Sequence, residues 1–309
     1  MRFSFKKTIV VTLALLSFLG ASVLAFTPIL KLPVKSVNNW MSKVDDSAAL
    51  SSLTIPGSHD SMARTAMGGL SGECQYLDLD SQLNAGIRFL DIRLENKEKD
   101  LRAVHGFIDQ GTNFSSIERT IETFLKNNPS EGLIVSIKDE NRKNPSQFEP
   151  VLAPYLNSAY WLLGNTLPST LGEIRGKAVL LSRFENSTIG VPCYSGWADG
   201  GFSNAKCFFS LPSEIAVQDH YKVKSAQDKI NDIKDALEYS YTNEKLTLNF
   251  ASAYLDNHFP PLNAQSVATF VNKEIPTLVT KKHSGVVIMD FVTETLSKHL
   301  YSLNEGAAL

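Results

Sequence analysis

LTIPGSHDS, residues 53–61, joins a short apolar run to a turn that contains a histidine and an aspartate. The same arrangement recurs along the chain, because nearly every apolar run of strand length ends in a polar or charged side chain. The runs are Leu53–Ile55, Arg88–Leu94, Leu101–His105, Leu133–Lys138, Ala178–Arg183, Ile215–Asp219, Leu246–Ala251 and Val286–Phe291. Their length and their aliphatic content predict about eight short strands.

Helical segments lie between several of these runs. Apolar side chains recur at helical spacing in Ser115–Lys126, Ala226–Tyr239 and Val267–Val279, and Pro276 is expected to kink or end the last helix. Because parallel strands need helical crossovers, this alternation predicts a (β/α) barrel in a single α/β domain. An open doubly wound sheet is the alternative, but no glycine-rich phosphate loop follows a strand.

The polar residues that end the runs are the candidates for a functional site. In a (β/α) barrel, the carboxyl ends of the strands converge on one mouth, which is where barrel enzymes have their active sites. The residues are His59, Asp91, Arg93, His105, Lys138, Arg183, Asp219 and Asp290. Each of them alone fits a turn, cap or surface role equally well, whereas their shared position at strand ends favours one common site.

The N-terminus has the pattern of an export signal. Basic residues precede the apolar run Ile9–Leu19, and Val23 and Ala25 give a small-residue cleavage pattern. We predict a signal peptide over residues 1–25, a catalytic barrel over residues 26–309 and a secreted protein. An uncleaved anchor is the alternative, although the apolar run is shorter than the roughly 20 residues of a membrane span.

Composition and charge limit the class of protein. Hydrophobic residues make up 43% and charged residues 20% of the 309 residues, as in ordinary globular domains. The predicted leader contains three of the 30 basic residues and no acidic residue, so the rest of the chain has a formal charge of −5. This acidic surplus argues against nucleic-acid binding and against purely electrostatic capture by an anionic membrane.

Three cysteines are too few for a disulfide scaffold, and their spacing does not indicate zinc. Cys193 and Cys207 could form one bridge, which would leave Cys74 unpaired. Buried, unbridged thiols explain the same count, and both alternatives stay open.

Two histidines at strand ends suit the cleavage of a phosphodiester. The reaction needs a base for the attacking hydroxyl and an acid for the leaving oxygen, and histidine titrates near neutral pH. A carboxylate beside each imidazole would fix its tautomer. Asp60, which follows His59, and Asp290, on the last run, are candidates for this role.

The phosphate needs positive charge as its oxygens gain electron density. Arg93 lies between the two histidine-containing segments, and its planar guanidinium can donate two parallel hydrogen bonds. A metal-dependent enzyme would have several carboxylates there instead. We therefore expect no metal and no other cofactor.

Three segments resemble the motifs of a known family. LTIPGSHDS at 53–61, GIRFLDIR at 86–93 and VHG at 104–106 are similar in order and spacing to the phosphatidylinositol-specific phospholipase C X domain. Shorter segments at 136–138, 181–183, 217–221 and 288–291 resemble pocket segments of its secreted bacterial members. The resemblance covers about residues 40–300.

This resemblance implies a distorted TIM-type barrel and a metal-independent reaction. The inositol 2-hydroxyl would attack phosphorus, so that phosphatidylinositol or a glycosylated inositol anchor yields diacylglycerol and a cyclic inositol phosphate. The implied roles are His59 as base, His105 as acid, Asp290 and Asp60 as their supports, Arg93 with Asp91 at the phosphate, Lys138, Arg183 and Asp219 at the inositol hydroxyls, and Tyr221 stacked on the ring.

The expected partner is phosphatidylinositol in a membrane surface, contacted transiently by a monomer. Candidate rim residues are Met62, Met67, Leu70, Tyr194, Trp197, Phe202, Phe208, Phe209, Phe259, Pro260 and Pro261, most of which could equally belong to the core. Two rival functions remain: a metal-dependent glycerophosphodiesterase-like enzyme, and an inositol- or glycan-binding module without turnover.

Overall fold

Fourteen strands, seven α-helices and three short 3-10 helices are present in the residues that the computed structural model describes, which are 39–65, 72–156, 159–197, 208–210, 214–256 and 264–305. The strands are β1 Thr54–Ser58, β2 Phe89–Lys97, β3 Asp100–His105, β4 Ile108–Asn113, β5 Leu133–Asp139, β6 Trp161–Leu162, β7 Ala178–Arg183, β8 Val191–Pro192, β9 Phe208–Ser210, β10 Ile215–Gln218, β11 Lys222–Val223, β12 Leu246–Phe250, β13 Tyr254–Leu255 and β14 Gly285–Met289. The helices are α1 Leu79–Asn84, α2 Phe114–Asn127, α3 Pro145–Leu152, α4 Leu171–Ile174, α5 Ala226–Thr242, α6 Ala264–Leu278 and α7 Glu294–Ser302. The predicted signal peptide, residues 1–25, lies outside the described residues.

The main sheet has the strand order β6-β7-β5-β2-β1-β14-β12-β10-β9. All neighbours from β6 to β10 are parallel, and β9 is antiparallel to β10. The last parallel strand along the chain, β14, pairs with the first, β1, as the strands of a (β/α) barrel do. Among the described strands no pairing joins β9 to β6 or β8, so the barrel is distorted and open at that point.

The predicted strand at Leu101–His105 exists, but its assignment to the barrel was wrong. β3 pairs antiparallel with the far end of β2 and with β4, so it belongs to a hairpin. Only Glu98 and Lys99 separate β2 from β3, and both have positive φ, at 53° and 71°. A two-residue turn makes a hairpin, whereas a parallel neighbour needs a long crossover. The two-residue β6 completes the eight parallel strands from β6 to β10 in the order given above, and β8 pairs parallel with β7 beside it; neither short strand was predicted from the sequence.

Side chains alternate between two cores, as the period of a strand requires. One cluster packs the outside of the sheet against the helices, with Ile121 of α2 and Val271 of α6 among its members. The other fills the inside of the barrel and includes Ile55, Val179 and Ile288. Trp40, near the start of the described chain, belongs to this inner cluster and stacks on Tyr301 of α7, with ring centroids 5.5 Å apart.

The three predicted helices are confirmed as α2, α5 and α6. Each of α2 and α5 begins at a side-chain cap, Asn113 and Ser225 respectively, which accepts a hydrogen bond from a backbone N–H of the first turn. α6 continues through Pro276 and ends two residues later, at Leu278. Within the described ranges, none of the helices combines the length and the apolar composition needed to cross a membrane.

Candidate active site

The candidate site residues lie on the same strand face as the inner core, further along each strand. On β2 the inward positions are Phe89, Asp91 and Arg93, and on β7 they are Val179, Leu181 and Arg183. Each strand therefore gives its first inward side chains to the core and its last to the mouth. The parallel register of β2, β5 and β7 puts Arg93, Lys138 and Arg183 at one level.

The first histidine pair joins the ends of β1 and β14. His59 Nδ1 lies 2.7 Å from Oδ1 of Asp290, and both side chains are almost fully buried. Gln75 Nε2 donates to the carbonyl oxygens of His59 and Met289, at 2.8 and 2.9 Å. This amide bridge fixes the two strand ends, and with them the imidazole and its carboxylate, relative to each other.

The second pair joins the hairpin to the turn after β1. His105 Nδ1 lies 2.6 Å from Oδ2 of Asp60, whose side chain is 1% exposed, whereas His105 is 27% exposed. Burial disfavours the imidazolium, but the hydrogen bond and the charge of Asp60 outweigh it and raise the pKa of His105 above 6.5. The hairpin therefore extends past the barrel mouth and returns His105 to it.

Arg93 lies between the two pairs. One of its terminal nitrogens is 2.7 Å from His59 Nε2 and 2.9 Å from Asp91 Oδ2, and its Nε is 3.7 Å from Asp60 Oδ2. Burial acts against both charges, yet Arg93 and Arg183 lower the pKa of Asp91, and the neighbouring carboxylates raise the pKa of Arg93 well above its ordinary value. Both groups therefore stay charged across the physiological pH range.

A second cluster of charges lies on the β5, β7 and β10 side of the mouth. Arg183 is 3.4 Å from Asp91 Oδ1 and 3.8 Å from Asp219 Oδ2. Its guanidinium carbon lies 3.6 Å from the ring centroid of Trp197, whose Nε1 donates to Asp219 at 3.0 Å. Asp219 and Arg183 are thus held in fixed orientations by an aromatic neighbour.

These contacts, together with those of Lys138 described below, connect nine of the ten predicted site residues. Tyr221 is the tenth, and the described contacts of its ring are with Tyr254, 6.0 Å between centroids, and with the Lys222 ammonium at 5.8 Å. The site thus contains two neighbouring imidazole–carboxylate pairs with a guanidinium between them. Such an arrangement can bind an anionic group, accept a proton on one side of it and donate a proton on the other side.

Comparison with known proteins identifies the family. The model of the phosphatidylinositol-specific phospholipase C X domain matches residues 48–183. A protein named 1-phosphatidylinositol phosphodiesterase from Listeria monocytogenes is 31% identical over 293 residues, covering 88% of each chain. The chain belongs to the phosphatidylinositol-specific phospholipase C family.

Further members of this phospholipase family agree in sequence and in fold. The 1-phosphatidylinositol phosphodiesterase of Staphylococcus aureus strain Newman is 28% identical, covering 84% of this chain and 90% of its own. A solved variant of the phospholipase C from Staphylococcus aureus gives a TM-score of 0.75 at 26% identity, over 87% of this chain and 97% of that one. The Listeria monocytogenes enzyme structure gives 0.69 at 25% identity, over 87% and 98%. The predicted distorted TIM-type barrel is therefore confirmed.

Glu140 is a residue of this phospholipase site that the sequence analysis missed. Its Oε2 accepts a salt bridge from Lys138 Nζ at 2.9 Å, and its Oε1 lies 3.7 Å from Arg93. Although burial opposes the charge, Arg93 and Lys138 lower the pKa of Glu140 to about 2. The sequence signal was available, because residues 138 and 140 share one face at the end of a strand.

The residues predicted to line the rim of the phospholipase mouth differ in where the structure places them. Trp197 is 6% exposed and packs under Arg183, so for this residue the core alternative is correct. Tyr194 is half-buried and donates to Glu185 at 2.7 Å, and Met62 packs against the outer core. Met67, Leu70, Phe202, Phe259, Pro260 and Pro261, and the side chains of Phe208 and Phe209, lie outside the described residues.

Cys74 is a buried thiol next to both histidine pairs. Its Sγ is 3.9 Å from His105 Nδ1, and His59, Cys74 and Asp290 present ligand atoms within 4.8 Å of one another. Burial and the charges of Asp290 and Asp60 raise the thiol pKa well above 9, so the thiol stays protonated at neutral pH. Cys193 is buried, while Cys207 lies outside the described residues, so a bridge between them and unbridged thiols both stay open as alternatives.

Proposed function

We propose that this chain cleaves phosphatidylinositol to diacylglycerol and a cyclic inositol phosphate, with His59 as general base and His105 as general acid. The observation that supports this most is the position of Arg93 between two imidazole–carboxylate pairs. The bacterial relatives are named 1-phosphatidylinositol phosphodiesterases, and that activity agrees with this chemistry.

The tautomer of His59 suits the role of base. A guanidinium only donates hydrogen bonds, so the 2.7 Å contact with Arg93 makes Nε2 of His59 the acceptor. The proton then resides on Nδ1 and is donated to Asp290 at 2.7 Å. When Arg93 turns its N–H groups to the phosphate oxygens, the lone pair of Nε2 is released, and Nε2 can take the proton of the inositol 2-hydroxyl as that oxygen attacks phosphorus.

His105 suits the role of acid. Asp60 raises its pKa, so more of the imidazole is protonated at neutral pH. As the bond between phosphorus and the glycerol oxygen breaks, the proton on Nε2 of His105 passes to that oxygen. Diacylglycerol leaves as an alcohol, and the proton gained by His59 balances the one lost by His105.

Arg93 would stabilise the phosphate oxygens in the transition state. Each of the three carboxylates around it, Asp60, Asp91 and Glu140, also faces a second cationic partner or a histidine. Charge in this part of the mouth is therefore balanced by protein groups, which supports a reaction without a metal. On the other side of the mouth, Lys138, Arg183 and Asp219 would bind the inositol hydroxyls, and Tyr221 would stack on the ring.

The enzyme would act as a secreted monomer at a membrane surface, with residues 1–25 as its signal peptide and residues 26–309 as the catalytic barrel. Phe107 supports the surface contact, because it is 80% exposed at the tip of the hairpin that contains His105. An exposed aromatic ring at the mouth favours the membrane interface. Phosphatidylinositol and glycosylated inositol anchors are both candidate substrates.

Diacylglycerol release from phosphatidylinositol micelles in EDTA tests this proposal. We expect wild type and His299→Gln, a control on α7, to release diacylglycerol, and His59→Ala to lose at least about a hundredfold in rate. Activity that EDTA abolishes and calcium restores would favour the metal-dependent rival. Binding of inositol phosphate by wild type without any product would favour the non-catalytic rival.

A further inference from the structure

The two residues after His105, Gly106 and Phe107, form the tip of the β3–β4 hairpin. The loop after β5 binds this tip through hydrogen bonds to Gly106. Gly106, with a φ of +56°, uses both polar groups of its backbone in this contact. Its carbonyl oxygen accepts from Nδ2 of Asn141 at 2.9 Å, and its N–H donates to Oε1 of Glu140 at 3.3 Å. The peptide next to the proposed general acid is therefore fixed on both sides.

Asn141 is itself anchored to the strand that contains Arg93. The same Nδ2 donates to Oε2 of Glu95 on β2 at 2.6 Å, so both of its protons are used. Glu95 is 3% exposed, and its other carboxylate oxygen accepts from Lys143. A buried carboxylate thus holds the asparagine amide, and the amide holds the hairpin tip.

We propose that Asn141 is a positioning residue for the general acid: by joining Gly106 to Glu95 it keeps His105 on Asp60 and aimed at the leaving oxygen. The inference rests on the proposed function and adds to it a residue outside the ten predicted ones. Asn141 touches neither histidine in the contacts described here, so its effect on the reaction would pass through the position of the hairpin.

The chemistry of the leaving group separates this role from a general structural one. The glycerol oxygen of the lipid leaves as an alcohol only if an acid protonates it, whereas 4-nitrophenolate is stable without a proton. A misplaced His105 should therefore slow phosphatidylinositol cleavage but hardly affect myo-inositol 1-(4-nitrophenyl phosphate). Damage to the base, to Arg93 or to the inositol contacts would slow both substrates.

The test compares Asn141→Ala with wild type on both substrates. We expect kcat on phosphatidylinositol to fall about tenfold or more, with KM and the rate on the nitrophenyl substrate within about twofold of wild type. His105→Ala is the reference and should show the same selectivity with a larger loss. Asn243→Ala, at the opposite end of the barrel between α5 and β12, is the matched control and should leave both rates unchanged.

Equal losses on the two substrates, or no loss on phosphatidylinositol, would overturn the proposal. If Asn141→Ala does not fold, Asn141→Asp keeps the size of the side chain but presents an oxygen to Glu95 and Gly106, and it should show the same selective loss. If wild type itself yields no cyclic product, the proposed function fails, which is a different outcome from a wild-type enzyme that is indifferent to Asn141.

Discussion

Asp60 contributes both its backbone and its side chain to the site. Its backbone has a φ of +35°, in the left-handed region that aspartate and asparagine tolerate better than most residues. Its backbone N–H donates to Asp91 at 3.1 Å, while its carboxylate lies 2.6 Å from His105 and 3.7 Å from Arg93. The turn after β1 thus directs one carboxylate outward to the hairpin and leaves His59 free to face β14.

The charge of Asp60 should set the upper pH limit of the reaction. In Asp60→Asn the burial that disfavours the imidazolium remains, and the carboxylate that raises the pKa of His105 is gone, so this pKa should fall. Because the acid must be protonated, the basic limb of the profile of kcat/KM against pH should move to lower pH. A limb at the wild-type position would contradict the assignment of His105 as the acid.

Single residues were predictable where strand periodicity applies. The run Arg88–Leu94 contains Asp91 and Arg93 at inward positions, and two further runs end in Lys138 and Arg183. The structure brings these four side chains together. Glu140 was overlooked because it lies two residues beyond the predicted run Leu133–Lys138. Trp197 is buried because the guanidinium of Arg183 packs over its ring, a tertiary contact without a local sequence pattern.

At the scale of elements, the β2–β3 hairpin is the main departure from a regular barrel. β2 has nine residues, and its last four pair with β3 beyond the level of the mouth. The apolar pattern predicted correctly that residues 101–105 form a strand. The partner of β3 is instead determined by the two-residue connection to β2. Glu98 and Lys99 are not typical residues of such a turn, so composition alone did not indicate a hairpin.

The same turn predicts a stabilising substitution. Glu98 and Lys99 both have positive φ, which costs a residue with a side chain roughly 1 kcal/mol. Glu98→Asn with Lys99→Gly should raise the melting temperature by about 2 °C or more and leave the activity unchanged.

Lys126→Gly is a control for this substitution. It lies in the last turn of α2, where glycine should instead lower the stability by about 1 kcal/mol. A lower melting temperature for the turn variant would show that the turn does not limit stability in this way.

At the scale of the whole molecule, the two ends of the barrel differ in composition and in role. The bottom is closed by apolar packing around Trp40 and by the fully buried pair of Arg88 and Glu131, 2.9 Å apart. The mouth gathers the charged groups and, at its edge, Phe107. Among the described residues the large hydrophobic side chains that remain exposed are Phe107, at 80%, and Phe270, at 62%.

These two phenylalanines give a matched test of membrane contact. Phe107 is next to the mouth, whereas Phe270 is on α6, outside the barrel. Phe107→Ser should weaken binding to phosphatidylinositol-containing vesicles about tenfold, since burying a phenylalanine side chain contributes about 1.5–3 kcal/mol. Phe270→Ser should bind as wild type, and both variants should keep wild-type rates on a soluble inositol phosphodiester. Equal binding by all three proteins would exclude the hairpin tip from the contact.

The proposed mechanism depends on an inositol hydroxyl, activated by His59, as the nucleophile at phosphorus. Phosphorus NMR identifies the first product that metal-free enzyme forms from phosphatidylinositol micelles. We expect a cyclic inositol phosphate signal to appear first with wild type and to be absent with His59→Ala. A non-cyclic inositol phosphate as the first product would mean that water attacks phosphorus, and the role of the inositol hydroxyl as nucleophile would be wrong.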